Sequence, residues 1–230
     1  MHIFIDSANP AEIRKWMAYG VIDGATTNPS IMLKDGAYDM EAAARHLAGL
    51  LQGLPLSVEV TTNDLDEMLA QARGIARWAP NIVIKIPVIN QDGAPCLGVI
   101  KALESDGVRV NVTACMSFSQ VVLAAKAGAT YASIFAGRVS DEGHDSSVLI
   151  RMAADWLERW QYKTKIIVGS IREVMNIQEA AASGAHVITI PPEFLSKMID
   201  HRYTRETVRG FVADAQKALS QMKKATPVKV

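Results

Sequence analysis

Short β-branched runs alternate with amphipathic stretches along the whole chain, the pattern of a parallel sheet assembled from successive βα units. The runs predict eight strands, at about 2–6, 24–27, 56–60, 81–88, 108–114, 130–136, 164–169 and 187–190. Helical patterning fills the intervals, for example from Met40 to Gln52 and from Asp64 to Ala79. Asn9-Pro10-Ala11-Glu12 has the form of an N-cap followed by proline at the first helical position, and Ser117-Phe-Ser-Gln120 that of a capping box. Gly20, Gly107, Gly128 and Gly184 fall where helices should stop, ready for the left-handed conformation.

An internal similarity bears on how the strands are arranged. Ala124-Ala-Lys-Ala-Gly128-Ala129 and Ala180-Ala-Ala-Ser-Gly184-Ala185 each precede a strand and lie 56 residues apart, two units of 28. Eight units of that size nearly fill the chain, which predicts an α/β fold consisting of a single (β/α)8 TIM barrel, one domain over 1–230. An open doubly wound sheet is the architectural alternative. That fold usually carries a glycine-rich nucleotide loop after its first strand, whereas Asp6-Ser-Ala-Asn-Pro10 stands there. Beyond the eighth unit, Val208, Phe211, Val212, Ala215 and Leu219 form an apolar stripe on an additional C-terminal helix. Closing its own barrel is the first expectation for that stripe, and engaging a neighbouring subunit the second.

Composition narrows the function classes. The 230 residues are 49% apolar and 21% charged, a normal balance for a globular domain. Lys plus Arg and Asp plus Glu both number 24, so no global field favours nucleic acid or an anionic membrane. The longest apolar stretch, Val121 to Gly137, is broken by Lys126 and Thr130 and is shorter than the roughly 18 apolar residues of a membrane span. Two cysteines, Cys96 and Cys115, make no disulfide framework, and the first residues resemble no secretory leader; the expected location is cytoplasmic. Five histidines are scattered without metal-ligand spacing, so no metal is expected.

In a barrel, catalytic groups belong at the C-terminal ends of the strands, where Asp6, Asn28, Glu59, Lys85, Asn111, Thr113, Ser133 and Ser170 fall. Lys85 gives the sharpest signal because it interrupts the apolar run Asn81-Ile-Val-Ile-Lys-Ile-Pro-Val88. A lysine is rarely buried without a partner or a task, and desolvation favours the neutral amine that can form a Schiff base with a ketone. Snorkelling to the barrel end, or a structural ion pair, is the other reading. Asp6 and Glu59 supply carboxylates for proton transfer, while Thr113 can hold an ordered water. Arg138 after the sixth strand, with Ser170 and Arg172 after the seventh, reads equally as an anion site or as a capped helix with surface arginines. Ser170-Ile-Arg-Glu173 itself has the capping-box pattern.

Phe4-Ile-Asp6, Ala25-Thr-Thr-Asn28-Pro-Ser30, Ser57-Val-Glu59-Val60, Ile84-Lys85-Ile-Pro87, Asn111-Val-Thr113, Ala127-Gly-Ala-Thr-Tyr131, Ser133-Ile-Phe135-Ala-Gly137-Arg138 and Ser170-Ile-Arg172 occur in one order along nearly the whole chain. In that order and spacing they resemble the small transaldolases and their fructose-6-phosphate aldolase relatives. The resemblance implies a cofactor-free class I mechanism in which Lys85 forms the Schiff base, Asp6 is the general acid/base, and Glu59 and Thr113 position the catalytic water. It further implies that Thr26, Asn28, Asn111, Ser133 and Phe135 bind the sugar, that Arg138, Ser170 and Arg172 hold its phosphate, and that the protein is a homo-oligomer such as a decamer of pentameric rings.

Glu59 and Phe135 resemble the transaldolases, since the aldolase relatives tend to carry Gln and Tyr there. The implied activity is transfer of a dihydroxyacetone unit from fructose 6-phosphate or sedoheptulose 7-phosphate to an aldose phosphate. Met116 in place of the usual Phe, Ile134 in place of Pro, and Ala114-Cys115 in place of bulkier apolar residues depart from the family pattern. They keep two alternatives open: a fructose-6-phosphate aldolase, or a transaldolase acting on another anionic ketose such as a sulfonated one. A catalytically silent sugar-phosphate-binding barrel would not need the Lys/Asp/Glu set, and a scaffold or nucleic-acid role would need a basic stripe or apolar face that is not evident.

Overall fold

In the computed structural model, which describes residues 1–225, eight parallel strands close into a barrel in chain order. They are β1 (His2–Asp6), β2 (Gly24–Thr26), β3 (Leu56–Glu59), β4 (Ile82–Pro87), β5 (Val110–Cys115), β6 (Tyr131–Phe135), β7 (Lys165–Gly169) and β8 (Val187–Ile190). The β1–β8 pairing, from His2 opposite Val187 to Ile5 opposite Ile190, closes the sheet and removes the open-sheet alternative. Helices α1 (Pro10–Ala18), α2 (Pro29–Lys34), α3 (Met40–Leu50), α4 (Leu65–Ala76), α5 (Leu97–Ser105), α6 (Phe118–Lys126), α7 (Ala136–Asp141), α8 (Ser146–Arg159) and α9 (Val174–Ala182) separate the strands. After β8 come α10 (Pro192–Ile199) and α11 (Arg202–Ala225).

Alternation along each strand explains why the strands read as continuous apolar runs. In β4, Ile82, Ile84 and Ile86 are buried on one face and Val83 and Lys85 on the other, as in a sheet covered on both sides. Inside the barrel, Phe4, Ile167 and Val187 form one apolar cluster with Tyr131 against it, the Phe4 and Tyr131 rings meeting edge-on at 6.2 Å. Gly24 beside them admits no side chain: a Cβ would lie 2.8 Å from both the Phe4 ring and the Pro55 carbonyl. Two residues further along the same strands the interior turns polar, with Asp6 after Phe4, Ser133 after Tyr131 and Thr189 after Val187, while β7 contributes only Gly169.

The helix boundaries follow local chemistry, with two corrections to the sequence reading. Asn9 caps α1, accepting from the Ala11 and Glu12 N–H groups, and Gly20, Gly107, Gly128 and Gly184 all adopt positive φ. At α6, Ser117 accepts from Gln120 N, but the Gln120 side chain turns to Met116 N, so the predicted box is only half formed. Ser170 caps nothing. The N-cap of α9 is Glu173, in a reciprocal capping box with Asn176, and Ser170 has a left-handed backbone at φ 59°.

The chain divides into two compact units, Met1–Pro192 and Glu193–Val230. In the second, Val208, Phe211, Val212 and Leu219 on α11 are all more than half exposed.

Candidate active site

The polar layer above the apolar cluster lines a cavity of about 260 Å³ within the barrel unit. Asp6, Thr26, Asn28, Lys85, Asn111, Ser133, Phe135, Arg138, Ser170 and Arg172 all reach it. Strand register brings them together, because Asp6 pairs with Thr26, Glu59 with Lys85, and Lys85 with Asn111. Of the residues singled out from the sequence, only Glu59 and Thr113 do not line this cavity.

Lys85 is 4% exposed. Its Nζ donates to the Thr27 carbonyl at 2.9 Å and lies 3.1 Å from Glu59 Oε2. Glu59 in turn borders a second cavity, of about 370 Å³, lined by the β3–α4 and β4–α5 loops. The ion pair thus stands between two spaces, with the amine facing one and the carboxylate the other. Thr113 is buried, and its hydroxyl is the one buried side-chain polar atom without a hydrogen-bond partner among the described residues. Beside it β5 is irregular: Val112 pairs with Ala132 and Cys115 with Ile134, leaving one extra residue, and Ala114 has φ 58°. A bulge of this kind re-aims the adjoining side chain, and the left-handed alanine costs roughly 1–2 kcal/mol.

Asp6 accepts a 2.6 Å hydrogen bond from Thr26 Oγ1, and the Thr26 hydroxyl also meets that of Thr189. Burial pushes the Asp6 carboxyl above the ordinary aspartate range, Asp35 and Glu59 add repulsion, and Lys85 and the Thr26 hydrogen bond pull it back. Asp35 is held by the Ser7 hydroxyl at 2.9 Å and the Ala8 N–H at 2.8 Å.

The remaining polar groups are partly committed. The Asn28 side-chain carbonyl caps α2 by accepting from Ile31 N at 2.8 Å, which leaves its amide N–H groups as donors for the cavity. Asn111 donates to Ser57 Oγ at 3.2 Å and accepts from Ser133 Oγ at 2.7 Å, so two serines fix its orientation.

Two guanidiniums mark one end of the cavity. Arg138 lies over the Phe135 ring at 5.9 Å, and Arg172 donates to Asp141 at 3.0 Å. The Arg172 stem crosses Gly137, where a Cβ would lie 2.8 Å from Arg172 Cγ and 2.1 Å from the Ser170 carbonyl. Gly137 N donates to that carbonyl at 3.1 Å. The left-handed turn at Ser170 and the bare Gly137 together let the start of α7 and the segment after β7 close on each other, so both arginines reach one space.

Sequence reasoning missed Thr189, Gly169 and Ile171 in the lining, Ser57 behind Asn111, and the carboxylates Asp35 and Asp141. No group of three or more His, Cys, Asp or Glu residues able to hold a metal occurs among the described residues, and no helix among them is long and apolar enough to cross a membrane.

Known proteins bear on this arrangement. The family model described as Transaldolase/Fructose-6-phosphate aldolase matches residues 3–229. A probable transaldolase of Dehalococcoides mccartyi is 40% identical over 93% of this chain and 97% of its own length. One from Carboxydothermus hydrogenoformans is 40% identical over 94% and 98%, and probable transaldolase 2 of Listeria monocytogenes 38% identical over 93% and 95%. Among solved structures, the thiamine phosphate pyrophosphorylase of Pyrococcus furiosus superimposes with a TM-score of 0.56 at 12% identity, covering 83% of this chain and 85% of that one, a likeness of fold alone.

Proposed function

The chain belongs to the transaldolase/fructose-6-phosphate aldolase family, and from that premise we propose that it transfers a dihydroxyacetone unit from a ketose phosphate to an aldose phosphate through a Schiff base on Lys85. The observation that carries this reading is the Lys85 amine, buried at the cavity floor in contact with Glu59 and within the electrostatic reach of Asp6.

In this mechanism the Lys85 amine, its proton passed to Glu59, adds to the ketose C2 carbonyl, and the carbinolamine loses water to give an iminium. A water held by the unpartnered Thr113 hydroxyl and Glu59 carries the protons of these steps. The Asp6 carboxylate takes the proton of the C4 hydroxyl. The C3–C4 bond then breaks, its electrons passing into the iminium to form an enamine, and an aldose leaves. An incoming aldose aldehyde is attacked by the enamine carbon, its new alkoxide takes the proton back from Asp6, and water releases the product. Asn28, Asn111 and Ser133 offer the hydrogen bonds that orient the three-carbon unit, and Arg138, Ser170 and Arg172 the anion site.

Product analysis with fructose 6-phosphate, with and without erythrose 4-phosphate, tests the reading. Transfer should outpace release of free dihydroxyacetone, because Phe135 offers no hydroxyl to help protonate the enamine. Equal rates of release and transfer would identify an aldolase instead.

Arg172→Ala should chiefly weaken the use of phosphorylated donors. Arg172 is more than half exposed and already paired with Asp141, so the expected rise in KM is about fivefold, equivalent to roughly 1 kcal/mol. Unphosphorylated dihydroxyacetone should be unaffected as donor; an equal loss for both would assign the arginine to structure. The exposed apolar stripe on α11 supports assembly into a homo-oligomer.

A further inference from the structure

With Asp6 ionised, the hydroxyl groups beside it have a direction that hydrogen counting fixes. Thr26 has one hydroxyl hydrogen, and it is given to Asp6 Oδ1 at 2.6 Å. The contact between the Thr26 and Thr189 hydroxyls therefore has Thr189 as donor and Thr26 as acceptor. The chain runs from Thr189 on β8, through Thr26 on β2, to Asp6 on β1, the strand between them in the barrel. Both threonines are buried, and Thr189 also lines the cavity.

We infer that Thr189 is a positioning residue for the acid/base Asp6, acting through Thr26 to hold the carboxylate in its proton-accepting state. This rests on the proposed role of Asp6. In the opposite arrangement, with a protonated Asp6 donating to Thr26 and Thr26 to Thr189, the Thr189 hydrogen has no other acceptor among the described residues. Both arrangements contain two hydrogen bonds, but the forward one ends on a charged acceptor, the stronger kind, and leaves no hydroxyl hydrogen of the chain without an acceptor in it, so Thr189 biases the chain towards the carboxylate. A donor that is itself hydrogen-bonded also donates more strongly, so Thr189 sharpens the Thr26–Asp6 bond. The bias opposes the environment, since burial favours the neutral carboxyl. The charged groups facing Asp6 are Lys85 from β4, Glu59 from β3 and Asp35 from the segment after α2.

The Thr189 methyl group has a separate task. It packs against Gly169, where a Cβ would lie 3.2 Å from Thr189 Cγ2. Thr189→Val keeps this packing and loses the hydroxyl; Thr189→Ser does the reverse. Comparing the two separates the relay from the packing.

The experiment measures pH profiles of kcat and kcat/KM for fructose 6-phosphate with erythrose 4-phosphate as acceptor, on the full chain and on Thr189→Val, Thr189→Ser and Asp6→Asn, with thermal melting of each. For Thr189→Val the acid limb should move up by about half a unit to one unit, the size of one lost hydrogen bond, and kcat at neutral pH should fall roughly 3- to 10-fold at little-changed KM. Thr189→Ser should keep the parental acid limb. An unmoved limb in folded Thr189→Val, or the same shift in both variants, overturns the inference. If Asp6→Asn has meanwhile lost its activity, the role of Asp6 survives that failure; if Asp6→Asn keeps full activity, that role and the inference fall together.

Discussion

Replacing Lys85 by methionine is expected to lower kcat by at least about 10⁴-fold, because no other group in the cavity can take its place. The reaction needs a nitrogen that first bonds the ketone carbon and then accepts the electrons of the broken C–C bond. Asp6, the neighbouring Glu59, the Thr26 and Ser133 hydroxyls and the Asn111 amide can move protons or donate hydrogen bonds, but none can form an iminium. What survives would be the binding and orientation supplied by the rest of the site, typically a small residue of the total acceleration. Methionine matches the lysine stem in length and apolar character, so packing around β4 is preserved. Glu59 loses its partner, but it is only half-buried and borders the second cavity, so the variant should fold. Substrate binding should persist, measurable as protection against thermal unfolding by fructose 6-phosphate. Turnover within tenfold of the parent would remove Lys85 from the chemistry.

Asp6→Asn should separate activity from stability. Loss of the proton acceptor for the C4 hydroxyl is expected to cost about 10²- to 10⁴-fold in kcat. The fold should gain. Burial raises the Asp6 pKa above its ordinary value of 3.8, so the native state binds this proton more readily than the unfolded chain. Stability from this group is therefore full below the unfolded value and declines as pH rises through the raised native one, leaving the protein less stable at neutral pH than a neutral side chain would. Asparagine removes that loss and still accepts from Thr26. Its melting temperature should exceed the parent's by a few degrees at pH 7, about 2–4 °C for each kcal/mol, and the difference should vanish as pH falls below about 4. A variant less stable than the parent at neutral pH would show that Asp6 is held by attraction to Lys85 more than it is strained by burial.

Period-two alternation and the positions of strand ends made much of the site legible. Lys85 stood out because an ionisable group interrupts an apolar strand, and the barrel places every residue of that kind at one end. Thr189 interrupts Val187-Ile-Thr-Ile190 in the same way, yet threonine is a good strand former and its hydroxyl carries no signal without Thr26 opposite. Asp35 and Asp141 lie at helix ends where a carboxylate is unremarkable, and only folding brings them to Ala8 and Arg172.

Ser170 misled for a related reason. Its serine-to-glutamate spacing matches a capping box, but the carbonyl of Ser170 is required by Gly137 N, and that pairing with the first turn of α7 holds the left-handed backbone that keeps Ser170 out of the helix. The stripe on α11 was legible as apolar, but periodicity tells which face is apolar and not what covers it.

Borohydride reduction during turnover tests the covalent step most directly. The protein is treated with sodium borohydride in the presence of fructose 6-phosphate, digested, and its peptides mapped by mass spectrometry. A reduced ketose-derived adduct on the peptide containing Lys85, at no more than one per chain and absent from Lys85→Met, is the expected result. Full transfer activity with no trapped adduct, or an adduct confined to a different lysine, would contradict it.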